Sequence, residues 1–218
     1  ELIPTYLKFL AQRGCHGVLV LGTTGEGPSF SVEERIGITR AAMEVCNSVP
    51  NFRLLVGTGS PSLEETIALT KAAFDLGADG VVVLPPYYYR KVTDDGLYDW
   101  FSQVLKRAVP HEGALFGYHI PQITGISLSP ELLRRLRDAF PNRFAGLKDS
   151  SGNPDHTHMF GRSLGKDLLI FSGNDGFFSI ALQENAAGCI TALANLFSPL
   201  LIRIWDAHQR LSLIHISE

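Results

Sequence analysis

The chain has 218 residues, of which 45% are hydrophobic and 19% charged, and a composition of this kind can build one domain with a substantial core. Its formal net charge is only −3 and it contains no long basic run, so nothing favours binding to nucleic acid or to an anionic membrane. No apolar stretch approaches the ~20 residues that span a bilayer and the first residues do not resemble a signal peptide, so we expect a cytoplasmic enzyme.

Helical and strand-like segments alternate from the start of the chain. Residues 3–13 read as a helix, and the segment 31–43 reads as another, with Ser31 as its N-cap and Glu34 at its third helical position. Pro61 and Pro130 lie near the first turns of two further helices. Seven short apolar runs between the helices read as strands: 17–22, 53–57, 80–84, 114–118, 144–148, 168–171 and 188–192.

The strands are almost continuously apolar, which is typical of a parallel sheet covered by helices on both faces. The α/β class then offers two architectures, an open doubly wound sheet and a closed (β/α)8 TIM barrel. Polar residues follow every one of the seven strands, and no glycine-rich phosphate-binding motif follows any of them. A rim to which every strand contributes favours the barrel, whose active site lies at the carboxyl ends of its strands.

Seven strands are one short of a closed barrel, and the chain opens in a helix. We therefore expect the barrel to be truncated at its N-terminus, with its first strand missing, and at its C-terminus. Residues 1–210 are predicted to form this single incomplete barrel domain. Residues 211–218 do not continue the amphipathic pattern, and we expect them to be a non-native tail.

Lys148 is the residue that most strongly suggests chemistry. It lies in the segment Phe144–Gly152, where an apolar strand delivers a single ammonium group to a loop rich in serine and glycine. Burial against apolar neighbours lowers the pKa of a lysine, and the neutral amine can attack a ketone to form a Schiff base. The alternative is a lysine that caps the strand end or pairs with Asp149.

Three motifs occur together in the order Gly22–Glu26 (GTTGE), Tyr118–Pro121 (YHIP) and Gly146–Gly152 (GLKDSSG). In this combination the chain resembles the superfamily of dihydrodipicolinate synthase and N-acetylneuraminate lyase, the pyruvate-dependent class I aldolases, from about residue 1 to about residue 210. The resemblance implies a barrel enzyme whose lysine forms an imine with pyruvate or another 2-keto acid. It implies no metal and no organic cofactor.

The resemblance also assigns site residues. Lys148 would be the Schiff-base nucleophile and Tyr118 the proton shuttle, although tyrosines are also common in cores. Thr23 and Thr24 would cradle the carboxylate of the keto acid, with Thr23 in a relay with Tyr118; the alternative is a turn that uses threonine and glycine only for shape. Gly173 and Ile190 would line the lysine's pocket, the isoleucine through its backbone carbonyl, since its side chain is typical of a core.

Tyr88 corresponds to a tyrosine that such enzymes send into the site of a neighbouring subunit. The resemblance therefore implies a homo-oligomer, a homotetramer in the family, and the alternative is an exposed aromatic patch at an interface. His119 follows the catalytic tyrosine, but strand alternation turns it to the other face, and we expect it to be structural.

The second substrate is predicted from one departure. Where dihydrodipicolinate synthases place an arginine that binds the carboxylate of aspartate semialdehyde, this chain has Ile123, which cannot donate to a carboxylate. We therefore favour a lyase that acts on a 2-keto-3-deoxy sugar acid or a related hydroxylated 2-keto acid, which it cleaves to, or forms from, pyruvate and an aldehyde. The hydroxyls of such a substrate would bind to Asp149, Ser150, Ser151 and Asn174. The alternative is that the two serines and the asparagine only form turns. Alternatives are 4-hydroxy-tetrahydrodipicolinate synthase and a non-catalytic barrel or inactive fragment that binds a 2-keto acid.

Overall fold

A computed structural model describes residues 2–216, with side chains described up to Arg210. Its seven strands form one sheet in which every neighbouring pair is parallel and the strand order follows the chain. The strands are β1 (Gly17–Val20), β2 (Arg53–Gly57), β3 (Gly80–Val83), β4 (Ala114–His119), β5 (Phe144–Asp149), β6 (Leu169–Ser172) and β7 (Gly188–Cys189). All seven predicted strands are therefore confirmed, each to within a few residues at its ends.

Nine α-helices lie within the described part of the chain, and successive long helices pack side by side against the outer face of the sheet. They are α1 (Ile3–Gln12), α2 (Val32–Ser48), α3 (Leu63–Asp75), α4 (Asp94–Ala108), α5 (Pro121–Thr124), α6 (Pro130–Ala139), α7 (Pro154–Leu164), α8 (Phe178–Gln183) and α9 (Ala194–Ile216), the last with a kink at Phe197. The alternation of strand and helix gives the parallel α/β class that the sequence predicts.

The helix starts are set by side-chain caps. Ser31 accepts a hydrogen bond from the backbone of Glu34, whose carboxylate accepts one from the backbone of Ser31, so the predicted capping box of α2 is confirmed. Ser62 and Thr93 cap α3 and α4 through a single side-chain hydrogen bond each, and Ser129 caps α6 with Pro130 at its first position. Each cap satisfies a backbone N–H that the helix itself leaves unpaired.

The sheet separates two apolar layers. A large cluster fills the space between the strands and the helices, and it includes Val81, Leu115 and Leu147. A smaller cluster lies on the inner, concave face, where Val82, Phe116 and Tyr118 are buried together. Because side chains along a strand alternate between faces, the inner face receives every second residue, and the polar residues of the site are delivered to it in this way.

The two edge strands of the curled sheet do not meet. Within the described residues β1 pairs only with β2 and β7 only with β6, and a cavity of about 700 Å³ separates the two edges. Tyr6 donates a hydrogen bond to Asn195 and Arg13 donates one to the carbonyl of Leu196, so α1 and α9 are linked across this gap. In this chain the predicted barrel is therefore an open, curled sheet.

Two further expectations concern the ends and the surroundings of the chain. Helix α9 continues to Ile216, so the predicted tail at 211–218 overlaps the end of this helix and then leaves the described residues. The division into residues 1–210 and a non-native tail stays a prediction. None of the described helices combines the length and the apolar character that crossing a bilayer requires.

Candidate active site

Lys148 lies at the carboxyl end of β5, on the inner face of the sheet. Its side chain is only 6% exposed. The Nζ atom donates to the hydroxyl of Tyr118 at 2.7 Å and to Oγ of Ser150 at 3.1 Å. Burial lowers the pKa of Lys148, while the neighbouring Tyr118 and Asp149 act in the opposite direction. An amine with a depressed pKa is more often neutral, and the neutral amine is the nucleophilic form.

Tyr118 lies next to Lys148 because β4 and β5 pair in a register that puts the two residues opposite each other. Its hydroxyl is 3.0 Å from Oγ1 of Thr23, which follows β1 on the other side of the inner face. Burial would raise the pKa of Tyr118, but the charge of Lys148 and the hydrogen bonds with Lys148, Thr23 and Ser150 together lower it. The phenol can therefore give up and take back a proton beside the amine.

The loop after β1 brings Thr23 and Thr24 to the cavity. Leu21, the first residue after β1, has a φ of +60°, a left-handed conformation that a branched side chain rarely adopts. Its carbonyl oxygen occupies the space that a Cβ on Gly27 or Gly57 would need, so both positions have to be glycine for the chain to turn here. This turn sends Gly22–Gly25 into the cavity, and Thr23 and Thr24 line it.

The remaining predicted pocket residues have different positions. Ile190 lines the cavity, and its backbone N–H donates to the carbonyl of Ser172 at 2.8 Å. Gly173 does not line the cavity; it packs against Ser150, whose side chain fills the space that a Cβ on Gly173 would need. Gly173 therefore makes room for a partner of Lys148.

Tyr88 lies away from these residues. Its side chain is 73% exposed, packs edge to face against Tyr89 with ring centroids 5.1 Å apart, and does not line the cavity. Within the one described chain, Tyr88 is therefore not brought together with Lys148 and Tyr118.

The contact of Ser150 with Lys148 is not among the sequence-based predictions, which interpret Ser150 as a hydroxyl binder or a turn former. It lies two positions after Lys148, and residues at i and i+2 of an extended segment point to the same face. This alternation alone predicts that Ser150 lies on the same face as Lys148. Phe171 lines the cavity, and its ring packs against that of Phe116 with centroids 5.6 Å apart.

Asp149 was expected among the residues that meet substrate hydroxyls, and this expectation is wrong. The carboxylate lies on the outer face of the sheet, buried to 6% exposure, because residue 149 follows Lys148 on a strand and points the opposite way. His119 occupies the same outer face beside it, as strand alternation predicts.

The sequence and the fold can be compared with those of known proteins. The model of the Dihydrodipicolinate synthetase family matches residues 1–210. An uncharacterised DapA-like lyase of Chloroflexus aurantiacus is 42% identical over 210 residues, which cover 96% of this chain and 69% of that protein. A 4-hydroxy-tetrahydrodipicolinate synthase of Methanosphaerula palustris is 34% identical over 208 residues, covering 94% of this chain and 68% of that enzyme.

Solved structures of the same family have a similar fold. YagE, a prophage protein of the dihydrodipicolinic acid synthase family from E. coli K12 whose structure contains pyruvate, superposes with a TM-score of 0.88 at 28% identity, over 95% of this chain and 68% of YagE. The dihydrodipicolinate synthase of Acinetobacter baumannii, also complexed with pyruvate, has a TM-score of 0.83 at 31% identity, over 91% and 66% of the two chains. This chain thus spans about two thirds of the length of the proteins it matches.

Proposed function

The chain belongs to the dihydrodipicolinate synthetase family, whose members are Schiff-base-forming carbon–carbon lyases, and we propose that it is a pyruvate-dependent aldolase that uses Lys148 as its nucleophile. One observation carries this proposal: a buried lysine donates a hydrogen bond to Tyr118, which in turn is hydrogen-bonded to Thr23. An amine needs a nearby proton carrier to form an imine, and a phenol in contact with a second hydroxyl can provide it.

The reaction uses an imine as an electron sink. The neutral amine of Lys148 attacks C2 of the keto acid, and the carbonyl oxygen leaves as water with one hydrogen from the amine and one proton from outside. The nitrogen keeps one hydrogen and a positive charge. Loss of a proton from C3, or cleavage of the bond between C3 and C4, then leaves the electron pair in an enamine, which can attack an aldehyde.

Thr23 and Thr24 are proposed to hold the carboxylate of the keto acid, with backbone N–H groups of the Gly22–Gly25 loop. Both threonines line the cavity that also contains Lys148 and Tyr118. Ile190 borders the same cavity, and we propose that its backbone faces the bound keto acid. No metal or organic cofactor is required for this chemistry, because the imine itself supplies the electron sink.

For the second substrate we propose an aldehyde derived from a 2-keto-3-deoxy sugar acid or a related hydroxylated 2-keto acid. Ile123 supports this choice because its exposed side chain stands where the resemblance places the carboxylate-binding arginine of dihydrodipicolinate synthases. Ser150 lies beside Lys148 and offers a hydroxyl to the substrate. The test is an assay of pyruvate release from a panel of such acids, with Lys148→Ala as the inactive variant and exposed Lys166→Ala as its matched control.

A second candidate is condensation of pyruvate with aspartate semialdehyde. The relatives named 4-hydroxy-tetrahydrodipicolinate synthase, at 32–39% identity, favour it. Ile123→Arg separates the two candidates: under our proposal the wild-type chain consumes sugar-derived keto acids and not aspartate semialdehyde, and the variant gains semialdehyde turnover. Efficient wild-type condensation with aspartate semialdehyde would instead support the second candidate.

The complete site is proposed to need two further parts. First, we propose that Tyr88 reaches the site of a neighbouring subunit in a homotetramer, which its exposure permits. Light scattering tests the number of subunits. Mixed oligomers of Tyr88→Phe and Lys148→Ala chains test whether Tyr88 acts in the neighbouring site.

Second, the gap between β1 and β7 suits an eighth parallel strand that would close a (β/α)8 barrel, since both flanking edges are unpaired in the described chain. We also propose that the enzyme is located in the cytoplasm.

A further inference from the structure

A second row of polar residues lies behind Lys148 and Tyr118, on the outer face of the sheet. In the pairing of β4 with β5, Tyr118 stands opposite Lys148 and His119 opposite Asp149, so one pair faces the cavity and the next pair faces the helices. His156 of α7 completes this outer-face cluster of Asp149, His119 and His156, whose polar atoms lie within 4.8 Å of one another. The proposed chemistry does not use these three residues.

The protons of the cluster can be assigned from its hydrogen bonds. The backbone N–H of Leu128 donates to Nδ1 of His119 at 3.1 Å, so this nitrogen is an acceptor. The proton of a neutral His119 is therefore on Nε2, from which it is donated to Nδ1 of His156 at 3.2 Å. Burial, together with His156, lowers the pKa of His119 to about 4 and keeps this ring neutral near pH 7.

This arrangement does not suit a metal ion, although two histidines and a carboxylate are the residue types of such sites. With Nδ1 occupied by the N–H of Leu128, His119 could bind a cation only through Nε2. It would then have to lose its remaining proton and become an imidazolate, which is much less favourable than a neutral ligand. The role of the cluster therefore has to lie in the charge of Asp149 and not in metal binding.

Asp149 is the charged member of the cluster. Its Oδ1 accepts a hydrogen bond from the backbone N–H of Ser151 at 3.0 Å, and no lysine or arginine in the described chain forms an ion pair with it. Burial raises its pKa, while the hydrogen bonds from Ser151 and the neighbouring His156 and Lys148 act in the opposite direction. To stay ionised, a buried carboxylate with so few partners needs a positive charge nearby.

Few groups can supply that charge. His119 on β4 is neutral, and the residue of β6 in register with Asp149 is Ser172, which carries no charge. On α7, Nδ1 of His156 accepts the proton of His119, so this ring is not an imidazolium, and Lys148, the adjacent residue of β5, is the remaining candidate. Around Lys148 itself, the inner face presents Tyr118 from β4, Thr23 after β1 and Ser150 after β5. Lys148 and Asp149 are thus opposite charges on the two faces of one strand.

We propose that the Asp149 carboxylate, held by the outer-face cluster, is the electrostatic counter-charge of Lys148 and of the iminium ion that Lys148 forms with a 2-keto acid. This inference rests on the proposed function. The attraction acts from one face of the strand to the other because both groups are buried, where charges are screened less than in water. Asp149 touches neither substrate nor reacting atoms, so it is a positioning residue. Its carboxylate favours the cationic forms of the nitrogen and opposes the effect of burial on Lys148.

The test is the pH dependence of imine formation. The chain is incubated briefly with pyruvate between pH 5 and 9, reduced with borohydride, and the fraction of Lys148 that carries the adduct is measured by peptide mass spectrometry. Asp149→Asn keeps the acceptor for Ser151 and removes the charge. We expect its acid limb to move to lower pH by about one unit, because Lys148 loses a stabilising negative charge. Its adduct yield at the plateau should fall, because the iminium loses the same stabilisation.

Two variants control this experiment. Asp155→Asn makes the same substitution at an exposed carboxylate in the first turn of α7 and should leave the profile of the wild-type chain unchanged. Asp149→Glu keeps the charge and should restore the acid limb to its wild-type position. An acid limb of Asp149→Asn that coincides with that of the wild-type chain overturns the inference while the proposed function stands. A wild-type chain that forms no adduct at any pH overturns both.

A second measurement needs no variant and decides the question if Asp149→Asn does not fold. In wild-type chain labelled with ¹³C at the aspartate carboxyls, we expect Asp149 to be ionised throughout the pH range of the acid limb. An Asp149 that is protonated over that range cannot be a counter-charge, and this result would overturn the inference.

Discussion

Lys148 and Tyr118 meet because a parallel register fixes which residues of two neighbouring strands stand opposite each other. The hydrogen bond of 2.7 Å between them sits at the carboxyl ends of β4 and β5, where the backbone leaves the sheet and a ligand can approach. Thr23 reaches the same hydroxyl from β1, three strands away from β4 in the sheet. The concave shape of the sheet therefore assembles a proton relay from residues 95 positions apart in the chain.

Tyr118→Phe tests this relay. The substitution removes the hydroxyl and keeps the ring, so we expect kcat for pyruvate release to fall by about 10²–10³-fold, as for loss of a general acid–base group, with a smaller change in KM. The measurement is steady-state kinetics on the keto acid that the wild-type chain consumes best.

Tyr98→Phe is the matched control, because Tyr98 is partly buried under the guanidinium of Arg135 and lies outside the cavity. It should keep wild-type kinetics. A kcat for Tyr118→Phe within about twofold of the wild-type value would remove Tyr118 from the proposed mechanism.

Residues of the site can be predicted from the sequence when a local motif marks them, and not when their contact depends on segments far apart in the chain. Lys148, Tyr118 and Thr23 could be chosen because each belongs to a short motif. Ser150 could have been chosen from its i+2 spacing alone. The contact of His119 with His156 could not, because it depends on how α7 packs against β4, and no local pattern reports the rotation of a helix about its axis.

At the scale of elements, the turn after β1 positions the threonines. Leu21 adopts a left-handed conformation, which costs free energy for a residue with a side chain, and packing against Gly27 and Gly57 holds it there. Because the carbonyl of Leu21 fills the space above Gly57, the end of β2 fixes the start of the loop that carries Thr23 and Thr24.

Gly57→Ala tests this coupling. The new methyl group overlaps with the Leu21 carbonyl, so we expect a loss of stability of about 1–3 kcal/mol and a KM for the keto acid that rises several-fold as the loop shifts. Urea unfolding and steady-state kinetics measure the two effects.

Gly37→Ala controls for the change of residue type. Gly37 is exposed in the middle of α2 with no atom near the position of a Cβ, so alanine there should stabilise the chain by about 0.5–1 kcal/mol and leave KM unchanged. If Gly57→Ala keeps the stability and the KM of the wild-type chain, Gly57 does not hold the loop.

The elements themselves could be read from the sequence with few errors. Short apolar or β-branched runs located all seven strands, and the Ser31–Glu34 pattern located the start of α2. The errors lie at strand ends. β1 stops at Val20 because Leu21 turns to positive φ, a cause that is not visible in residue type. β7 is only two residues long.

At the scale of the whole molecule, stability should fall in acid. The pKa of His119 is lowered to about 4 in the folded chain, against about 6.5 for an unperturbed histidine. Between these two values the unfolded state binds more protons than the folded state, so the free energy of unfolding decreases as the pH falls from about 6.5 to about 4, by on the order of 3 kcal/mol. Glu184, whose pKa is lowered to about 2 by hydrogen bonds from Arg162 and His158, acts in the same direction at still lower pH.

His119→Asn isolates this effect. The asparagine oxygen can accept the hydrogen bond from Leu128 but does not titrate, so the variant should lose less stability than the wild-type chain between pH 7 and pH 4.5. Urea unfolding at the two pH values measures the difference. His111→Asn, at an exposed histidine, should behave like the wild-type chain. Equal acid sensitivity of the His119→Asn and wild-type chains would contradict the assignment of a buried neutral imidazole.

The central claim is that Lys148 forms an imine with a 2-keto acid, and one measurement tests it most directly. The wild-type chain is incubated with pyruvate, reduced with borohydride and digested, and the modified peptide is identified by mass spectrometry beside Lys148→Ala and Lys166→Ala. We predict an adduct confined to Lys148, absent from Lys148→Ala and undiminished in Lys166→Ala. A wild-type chain that is folded by circular dichroism and carries no adduct at Lys148 would contradict the account.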